Sequence, residues 1–343
     1  MKLPTFARRL IDWQRCHGRH DLPWQRADAY RVWLSEIMLQ QTQVATVIPY
    51  YRRFIESFPT ITDLAAASED EVLAHWSGLG YYARGRNLHR AARLVVEKHA
   101  GVFPRDFERI LELPGIGRST AAAICALAYH EHRAILDGNV KRVLARHCGI
   151  EGWPGERKVE DRLWQQAEAM LPRSDVAAYT QGLMDLGATV CTRSRPKCAA
   201  CPLQADCAAM LTERTAELPT PRPRKSLPEK HATLLLLRHG NDILLEKRPG
   251  NGIWGGLWTL PQLDNGKVAN DYLQGNGMTE QKRTELPPFT HTFTHFRLCI
   301  TPLLLHIHEK PTRAMQPGSM WMDAESALEA AIPAPVRKLL QSL

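Results

Sequence analysis

Four cysteines, Cys191, Cys198, Cys201 and Cys207, crowd into one short stretch as Cys-x6-Cys-x2-Cys-x5-Cys, whereas Cys16, Cys125, Cys148 and Cys299 are scattered. Clustered thiols point to metal coordination rather than to disulfides. Four thiolates in one tight loop suit a soft metal, either a single tetrahedral zinc or a [4Fe-4S] cluster, and spacing alone does not choose between them. Such a loop leaves no open ligand position, so its expected role is structural. Arg193, Arg195 and Lys197, between the first two ligands, would present positive charge to phosphates from a rigid base.

A second constellation is Leu113-Pro114-Gly115-Ile116-Gly117-Arg118-Ser119-Thr120, set between an amphipathic segment at Phe107 to Glu112 and a strong helix former at Ala121 to Leu127. It reads as a helix-hairpin-helix. Gly115 and Gly117 permit positive φ and close approach, so their N–H groups and the start of the next helix can grip a phosphate without reading sequence. An ordinary interhelical turn also uses Pro and Gly, so the motif alone leaves both readings open.

Two carboxylates complete the set. Glu36 has Val32 and Trp33 one turn before it and Leu39 and Gln40 one turn after it. That places it along a partly apolar helix face, where burial would raise its pKa and let it act as a general acid. A glutamate on an amphipathic helix is otherwise a surface residue. Asp137 precedes Gly138-Asn139 and a helical run from Val140 to His147, the place of an N-cap, where helix N–H groups would keep it ionised. A protonated acid beside a fixed anion is the division of labour used in glycoside hydrolysis.

The hairpin, followed by Leu136-Asp137-Gly138-Asn139-Val140 and then the four-cysteine loop, resembles the endonuclease III superfamily of DNA glycosylases. Within it, the helix Val32-Trp33-Leu34-Ser35-Glu36-Ile37-Met38-Leu39-Gln40-Gln41-Thr42 and the segment Gly78-Leu79-Gly80-Tyr81-Tyr82-Ala83-Arg84 are similar to the adenine DNA glycosylase (MutY) family, over nearly the whole chain. The resemblance implies a [4Fe-4S] cluster on Cys191, Cys198, Cys201 and Cys207. It implies double-stranded DNA with adenine opposite 8-oxoguanine or guanine as the partner, and hydrolytic removal of that adenine in base excision repair. Glu36 would protonate adenine at N7, Asp137 would stabilise the sugar cation, Asn139 would orient nearby groups, and water would complete the reaction. Flipping the base out costs a few kcal/mol of stacking. The resemblance assigns the strand-separating wedge to Gln41, Thr42, Leu79 and Tyr81, and contact with the flipped adenine to Gln181. Bifunctional relatives carry a lysine where this chain has Ser119. A serine forms no imine, so a monofunctional glycosylase is expected, with Lys141 either an adventitious amine or a phosphate contact. The competing readings are a pyrimidine glycosylase with lyase activity and a non-enzymatic DNA clamp built on the hairpin and the cysteine loop.

The elements that must position these groups follow from periodicity. Residues 5 to about 207 read as helices, with runs at 62–76, 84–99, 118–130 and 157–170. Pro219 to Pro228 is too proline-rich for a helix and reads as a basic linker, giving domains at 1–218 and 231–343 joined by 219–230. Beyond it, Ala232 to Leu237 and Ile243 to Lys247 flank a Gly240-Asn241-Asp242 turn, Ile300 to Ile307 is a further strand, and short helices are expected at 324–331 and 335–342. The expected fold is a mainly α catalytic domain plus an α+β Nudix-like domain, the latter resemblance resting on Gly252-Ile253-Trp254-Gly255-Gly256-Leu257-Trp258. Between Gly266 and Glu285 only Asp271, Glu280 and Glu285 are acidic, too few to build the carboxylate helix that holds magnesium, so binding rather than hydrolysis is expected there. Phe293, Thr294 and His295 resemble the loop with which the family senses 8-oxoguanine. Threonine here replaces the usual serine and keeps the hydroxyl. An alternating aromatic and polar strand is the plainer account of the same residues.

Composition fits this outline. At 343 residues, 44% hydrophobic and 23% charged, the chain has the material for two globular cores, and its +8 charge suits a nucleic-acid partner without requiring one. The longest apolar stretch, Ala121 to Tyr129, falls short of the roughly 18 residues of a membrane span, and Met1 to Arg9 has no apolar signal core. A soluble, cytoplasmic monomer is expected.

Overall fold

The computed structural model describes residues 5–25, 27–223, 226–264, 268–311 and 318–343. The helices are α1 (Thr5–His17), α2 (Ala29–Leu39), α3 (Val44–Ser57), α4 (Ile61–Ala66), α5 (Glu69–Trp76), α6 (Ala83–His99), α7 (Phe107–Leu111), α8 (Arg118–Tyr129), α9 (Gly138–His147), α10 (Arg157–Ala169), α11 (Val176–Thr189), α12 (Ala208–Leu211), α13 (Ala269–Gly275), α14 (Ala324–Glu329) and α15 (Ala334–Leu340). The strands are β1 (Glu229–His239), β2 (Asp242–Lys247), β3 (Trp258–Thr259), β4 (Gln262–Asp264), β5 (Glu280–Glu285), β6 (Phe289–Thr292), β7 (Arg297–Ile307) and β8 (Ser319–Asp323). No described helix is long and apolar enough to cross a membrane.

Two compact units result, Met1–Ala66 with Asn87–Arg224, and Ala67–Arg86 with Lys225–Leu343. This differs from the linear partition, which kept 67–86 in the first domain. The cause is visible in α5, whose Leu73 is fully buried in the core of the sheet-containing unit. A helical pattern declares an apolar face but not the core that receives it. The single run expected at 62–76 is likewise two helices. Ser68 breaks it by accepting the Glu71 N–H at 3.2 Å while the Glu71 carboxylate accepts the Ser68 N–H at 2.7 Å, a reciprocal cap that starts α5 afresh.

In the helical unit α1, α8, α9, α10 and α11 share one core that includes Leu10, Ala122, Leu144, Leu163 and Leu186. The expected linker is partly attached to this unit. The Leu218 carbonyl accepts from Arg146 at 2.8 Å, the Thr220 hydroxyl accepts the Gly152 N–H at 3.1 Å, and Arg222 lies over the Trp153 ring. Glu229 and Lys230, placed in the linker from sequence, already pair with β7, and Arg224 and Lys225 lie outside the described residues.

The sheet of the other unit runs β3-β2-β1-β7-β5, with β4 on β1, β6 on β7 and β8 on β2. Its centre is the parallel pair β1 and β7, in register from Glu229↔Arg297 to Arg238↔His306. Leu234, Leu235, Leu236 and Leu237 are all buried because β1 has a core on each face. Leu234 and Leu236 join one cluster with Ile300, Val336 and Leu73, while Leu235 and Leu237 join a second with Leu305 and Leu273. Between Val268 and Glu285 the chain forms the short α13 and then β5, and the acidic side chains do not gather on one helix. Asp271 is on α13, and Glu280 pairs with Arg283 on β5. Gly266 lies outside the described residues.

Close packing of α11 on α9 is set by Gly187, where an added Cβ would meet the Asn139 Cβ at 2.5 Å and its Cα at 3.1 Å. Gly187→Ala is expected to destabilise the protein by about 1–3 kcal/mol through overpacking, read from the urea midpoint. An unchanged midpoint would show that the two helices separate freely.

Candidate active site

The middle of α2 carries Glu36. Buried Val32, Trp33, Leu34, Ile37 and Met38 fix the helix, and the Asp28 side chain caps it by accepting from the Arg31 N–H. Glu36 itself is half-buried, and its carboxyl pKa is pushed up to about 8, first by burial and second by the negative charge of Asp137. The desolvated carboxyl thus holds its proton at neutral pH while the residue keeps an opening to solvent.

Asp137 is the N-cap of α9, its Oδ1 accepting the Val140 N–H at 2.7 Å. Asn139 Nδ2 donates to the other carboxylate oxygen at 3.4 Å. These bonds, with the charge of Arg142, lower the proton affinity of Asp137, yet burial is the larger effect and its pKa lies above the ordinary value. The cap favours the anion as expected, and desolvation is an opposing and larger effect that the local sequence does not show. Since Asp137 has the N–H donors and its charge raises Glu36, a proton shared by the pair rests on Glu36.

Several roles were not legible in sequence. Ser119, in the first turn of α8, accepts the Leu136 N–H at 2.9 Å and so pins the residue before Asp137. Arg142 donates to Asn139 Oδ1 at 2.8 Å, to the Gly187 carbonyl at 2.6 Å and to the Cys191 carbonyl at 2.7 Å. Arg146, one turn further and only 3% exposed, donates to the carbonyls of Thr192, Arg193 and Leu218 and to Cys191 Sγ. Their i, i+4 spacing on an amphipathic helix was the available signal. Arg19, beyond the end of α1 and without that signal, donates to buried Asp185 at 2.6 Å.

Gln181 is buried in α11, and its amide donates to Asp185 Oδ1 at 2.9 Å. Lys141 faces away into an ion pair with Glu160 at 2.6 Å. Gln41 and Thr42 follow the end of α2 rather than continuing it, and Gln41 adopts a left-handed backbone with φ 57°. At the hairpin, Gly115 has φ 82°, and a Cβ there would meet the Asn87 Cβ at 2.8 Å, so glycine is required twice over. Gly117 is the N-cap of α8, with open space where a Cβ would point.

Cys191, Cys198, Cys201 and Cys207 line one cavity of about 30 Å³ together with Arg146. Among the described residues, no three Cys, His, Asp or Glu side chains converge as a single ion requires. Four thiols around one cavity match the donor set of a [4Fe-4S] cluster, in which each thiolate binds a separate iron. Arg193, Arg195 and Lys197 are exposed on the loop.

In the sheet-containing unit, Phe293 to Phe296 form the tight hairpin loop between β6 and β7, closed by the Phe293 N–H donating to the Phe296 carbonyl at 2.9 Å. Of the alternating run Phe289 to Phe296, the first half is strand β6 and the second half is this turn. Thr294 and His295 are exposed at its tip, while Phe293 packs on Trp254 at 5.7 Å between ring centroids and stacks on Phe296 at 4.7 Å. In the same unit Leu79 is buried, and Tyr81 is 46% exposed with φ 49°.

Comparisons with known proteins divide along the same lines. Residues 34–169 match the HhH-GPD superfamily of base excision DNA repair proteins, and residues 232–342 match the NUDIX domain. A protein of Buchnera aphidicola from Acyrthosiphon pisum named adenine DNA glycosylase is 37% identical over 98% of this chain and 97% of its own length. The human protein of that name is 32% identical over 99% of this chain and 74% of its own length. A solved thermostable thymine-DNA glycosylase aligns with a TM-score of 0.55 at 28% identity, covering 60% of this chain and 95% of its own.

The raised pKa of Glu36 has a cost in stability. Its folded-state value of about 8 exceeds the ordinary 4.5, so the folded state binds more protons and loses stability as pH rises between those values. Glu36→Gln is expected to raise Tm relative to the parent by a margin that grows from pH 5 to pH 8 and then levels. A margin independent of pH would show that Glu36 is not desolvated.

Proposed function

The chain belongs to the adenine DNA glycosylase family and is a DNA glycosylase of base excision repair, and on that premise we propose that it excises adenine paired with 8-oxoguanine or guanine by monofunctional hydrolysis. The observation that carries the mechanism is the half-buried pair of Glu36, protonated near neutrality, and Asp137, held by the Val140 N–H. Glu36 donates its proton to N7 of the flipped adenine, which makes the base a better leaving group. As the glycosidic bond lengthens, positive charge grows on the sugar, and the nearby Asp137 carboxylate stabilises it. Asn139, fixed by Arg142, orients that carboxylate, and water then adds to the sugar. Gln181 meets the polar edge of the base.

Ser119 supports the absence of strand cleavage, since its hydroxyl is engaged with Leu136 and cannot form an imine. Lys141 is a poor substitute because its amine is held by the Glu160 carboxylate at 2.6 Å. The hairpin N–H groups at Gly115 and Gly117 and the cations Arg193, Arg195 and Lys197 would hold phosphates. Thr294 and His295 would meet the opposite base, with Gln41, Thr42, Leu79 and Tyr81 as the wedge. Cys191, Cys198, Cys201 and Cys207 would hold the [4Fe-4S] cluster, which when bound supplies a rigid cross-link for the basic loop.

Single-turnover assays test this reading on duplexes with one adenine opposite 8-oxoguanine, guanine or thymine, with alkali added to half of each sample. Strand breaks are expected only after alkali and only for the first two duplexes, with a rate that is flat below pH 8 and falls above it as Glu36 loses its proton. Glu36→Gln should slow release by roughly 10²–10⁴-fold while retaining DNA binding. Equal release opposite thymine would remove the mispair specificity. Efficient borohydride trapping through a lysine would overturn the monofunctional claim.

A further inference from the structure

The segment 67–86 belongs to the same compact unit as the Phe293 to Phe296 hairpin, although about two hundred positions separate them in the chain. Leu73 of α5 is fully buried in the cluster that also holds Trp254, Phe296 and Ile332, and Tyr82 and Phe293 pack against that cluster. Lys247 of β2 donates to both Asp70 oxygens at 2.6 and 2.7 Å. Arg86 donates to the Gly255 carbonyl, next to Gly256, where a Cβ would meet Glu69, Arg86 and Leu73.

Polar contacts hold the end of α5 more tightly still. The Ser77 hydroxyl donates to the Ile332 carbonyl at 3.0 Å and accepts from Arg337 at the same distance. Half-buried Arg337 also donates to the Leu328 carbonyl at 2.5 Å, so one guanidinium ties α14, α15 and the end of α5 together. The Tyr82 hydroxyl reaches the Ile332 carbonyl at 3.4 Å and accepts the Gly78 N–H at 3.3 Å. From there the turn is stiffened to its tip. Arg84 donates to the carbonyls of Leu79 and Gly80 and lies over the Tyr81 ring, and Trp76 Nε1 donates to the Gly80 carbonyl.

We infer that Arg337, with Ser77 and the Ile332 carbonyl, is a brace that makes strand separation by Tyr81 depend on the base met by Thr294 and His295. Arg337 is a positioning residue, acting through Tyr81 and touching no substrate. One core carries both Tyr81 and the reader, so a misfit at the hairpin tip displaces Tyr81, and a good fit seats it. The inference rests on the proposed roles of Tyr81 and of the 293–295 loop.

The test uses the full chain and a duplex carrying adenine opposite 8-oxoguanine, with 2-aminopurine beside the adenine to report unstacking. Arg337→Met, Ser77→Ala, Tyr81→Ala and the pair Arg337→Met with Tyr81→Ala are compared after melting curves establish that each is folded. Arg337→Met should lower both the fluorescence rise and the release rate by at least about tenfold, as small misplacements of a positioning group do. The preference for 8-oxoguanine over guanine should shrink with it. Added to Tyr81→Ala, it should cost nothing more, because the brace acts through that ring. Losses that multiply, or an unchanged fluorescence rise, overturn the inference. Should Arg337→Met fail to fold, Ser77→Ala removes the same bridge and leaves the bond to Leu328 in place. Fluorescence needs no base release, so a parent chain that unstacks DNA but frees no adenine refutes the proposed function while the brace is still decided by the variants.

Discussion

The 2.7 Å hydrogen bond from the Val140 N–H to Asp137 fixes where the negative charge of the site stands, and much of the helical unit serves to keep it there. A cap ties the carboxylate to a helix axis rather than to a mobile side chain, so wherever α9 goes the charge follows. Three further attachments hold α9. Ser119 fixes the backbone just before the cap, Arg142 bridges to α11 and Cys191, and Arg146 gathers carbonyls from the cysteine loop and Leu218. A guanidinium as buried as Arg146 must have its donors satisfied. Stranding such a charge costs roughly 3–5 kcal/mol, which makes the arginine a strict template for the loop around it.

The same placement explains why Glu36 keeps its proton. Two carboxyls in one desolvated site cannot both ionise cheaply, and only one of them sits on helix N–H groups. The proton therefore collects on Glu36, and the unit tolerates the loss of stability because α2 is otherwise sunk in apolar packing around Trp33. Position 119 shows a related economy. The serine hydroxyl accepts the Leu136 N–H, so a short side chain on α8 aligns the backbone just before Asp137.

Sequence spacing made the cysteine loop, the glycine hairpin and the strands β1, β2 and β7 legible, because each rests on short-range constraints: ligand spacing, positive φ, and period-two burial. Asp137 as an N-cap was legible for the same reason. Its raised pKa was not, since burial depends on neighbours distant in sequence, and capping was the only local effect to weigh. Arg142 and Arg146 on α9, and Arg19 beyond the end of α1, were missed because an arginine's type and position give no hint of which carbonyls or carboxylates will surround it. The assignment of 67–86 to the sheet-containing unit was invisible for a more general reason. Apolar residues at helical spacing require a partner surface, but nothing in Val72, Leu73 and Trp76 names the one that takes them.

The sheet-containing unit is held by apolar packing on both faces. The sheet retains a core on each face, so its stability does not depend on a metal-binding helix. With Asp271 on α13 and Glu280 paired on β5, the described residues place no row of carboxylates there. The hairpin edge of this unit is held by ring packing. Phe293 and Phe296 supply it by burying their rings against Trp254 and each other, which leaves the two short polar residues between them standing out on a base that cannot give way. On the role proposed for this loop, rigidity is what reading shape requires, because a loop that adapts to every base distinguishes none.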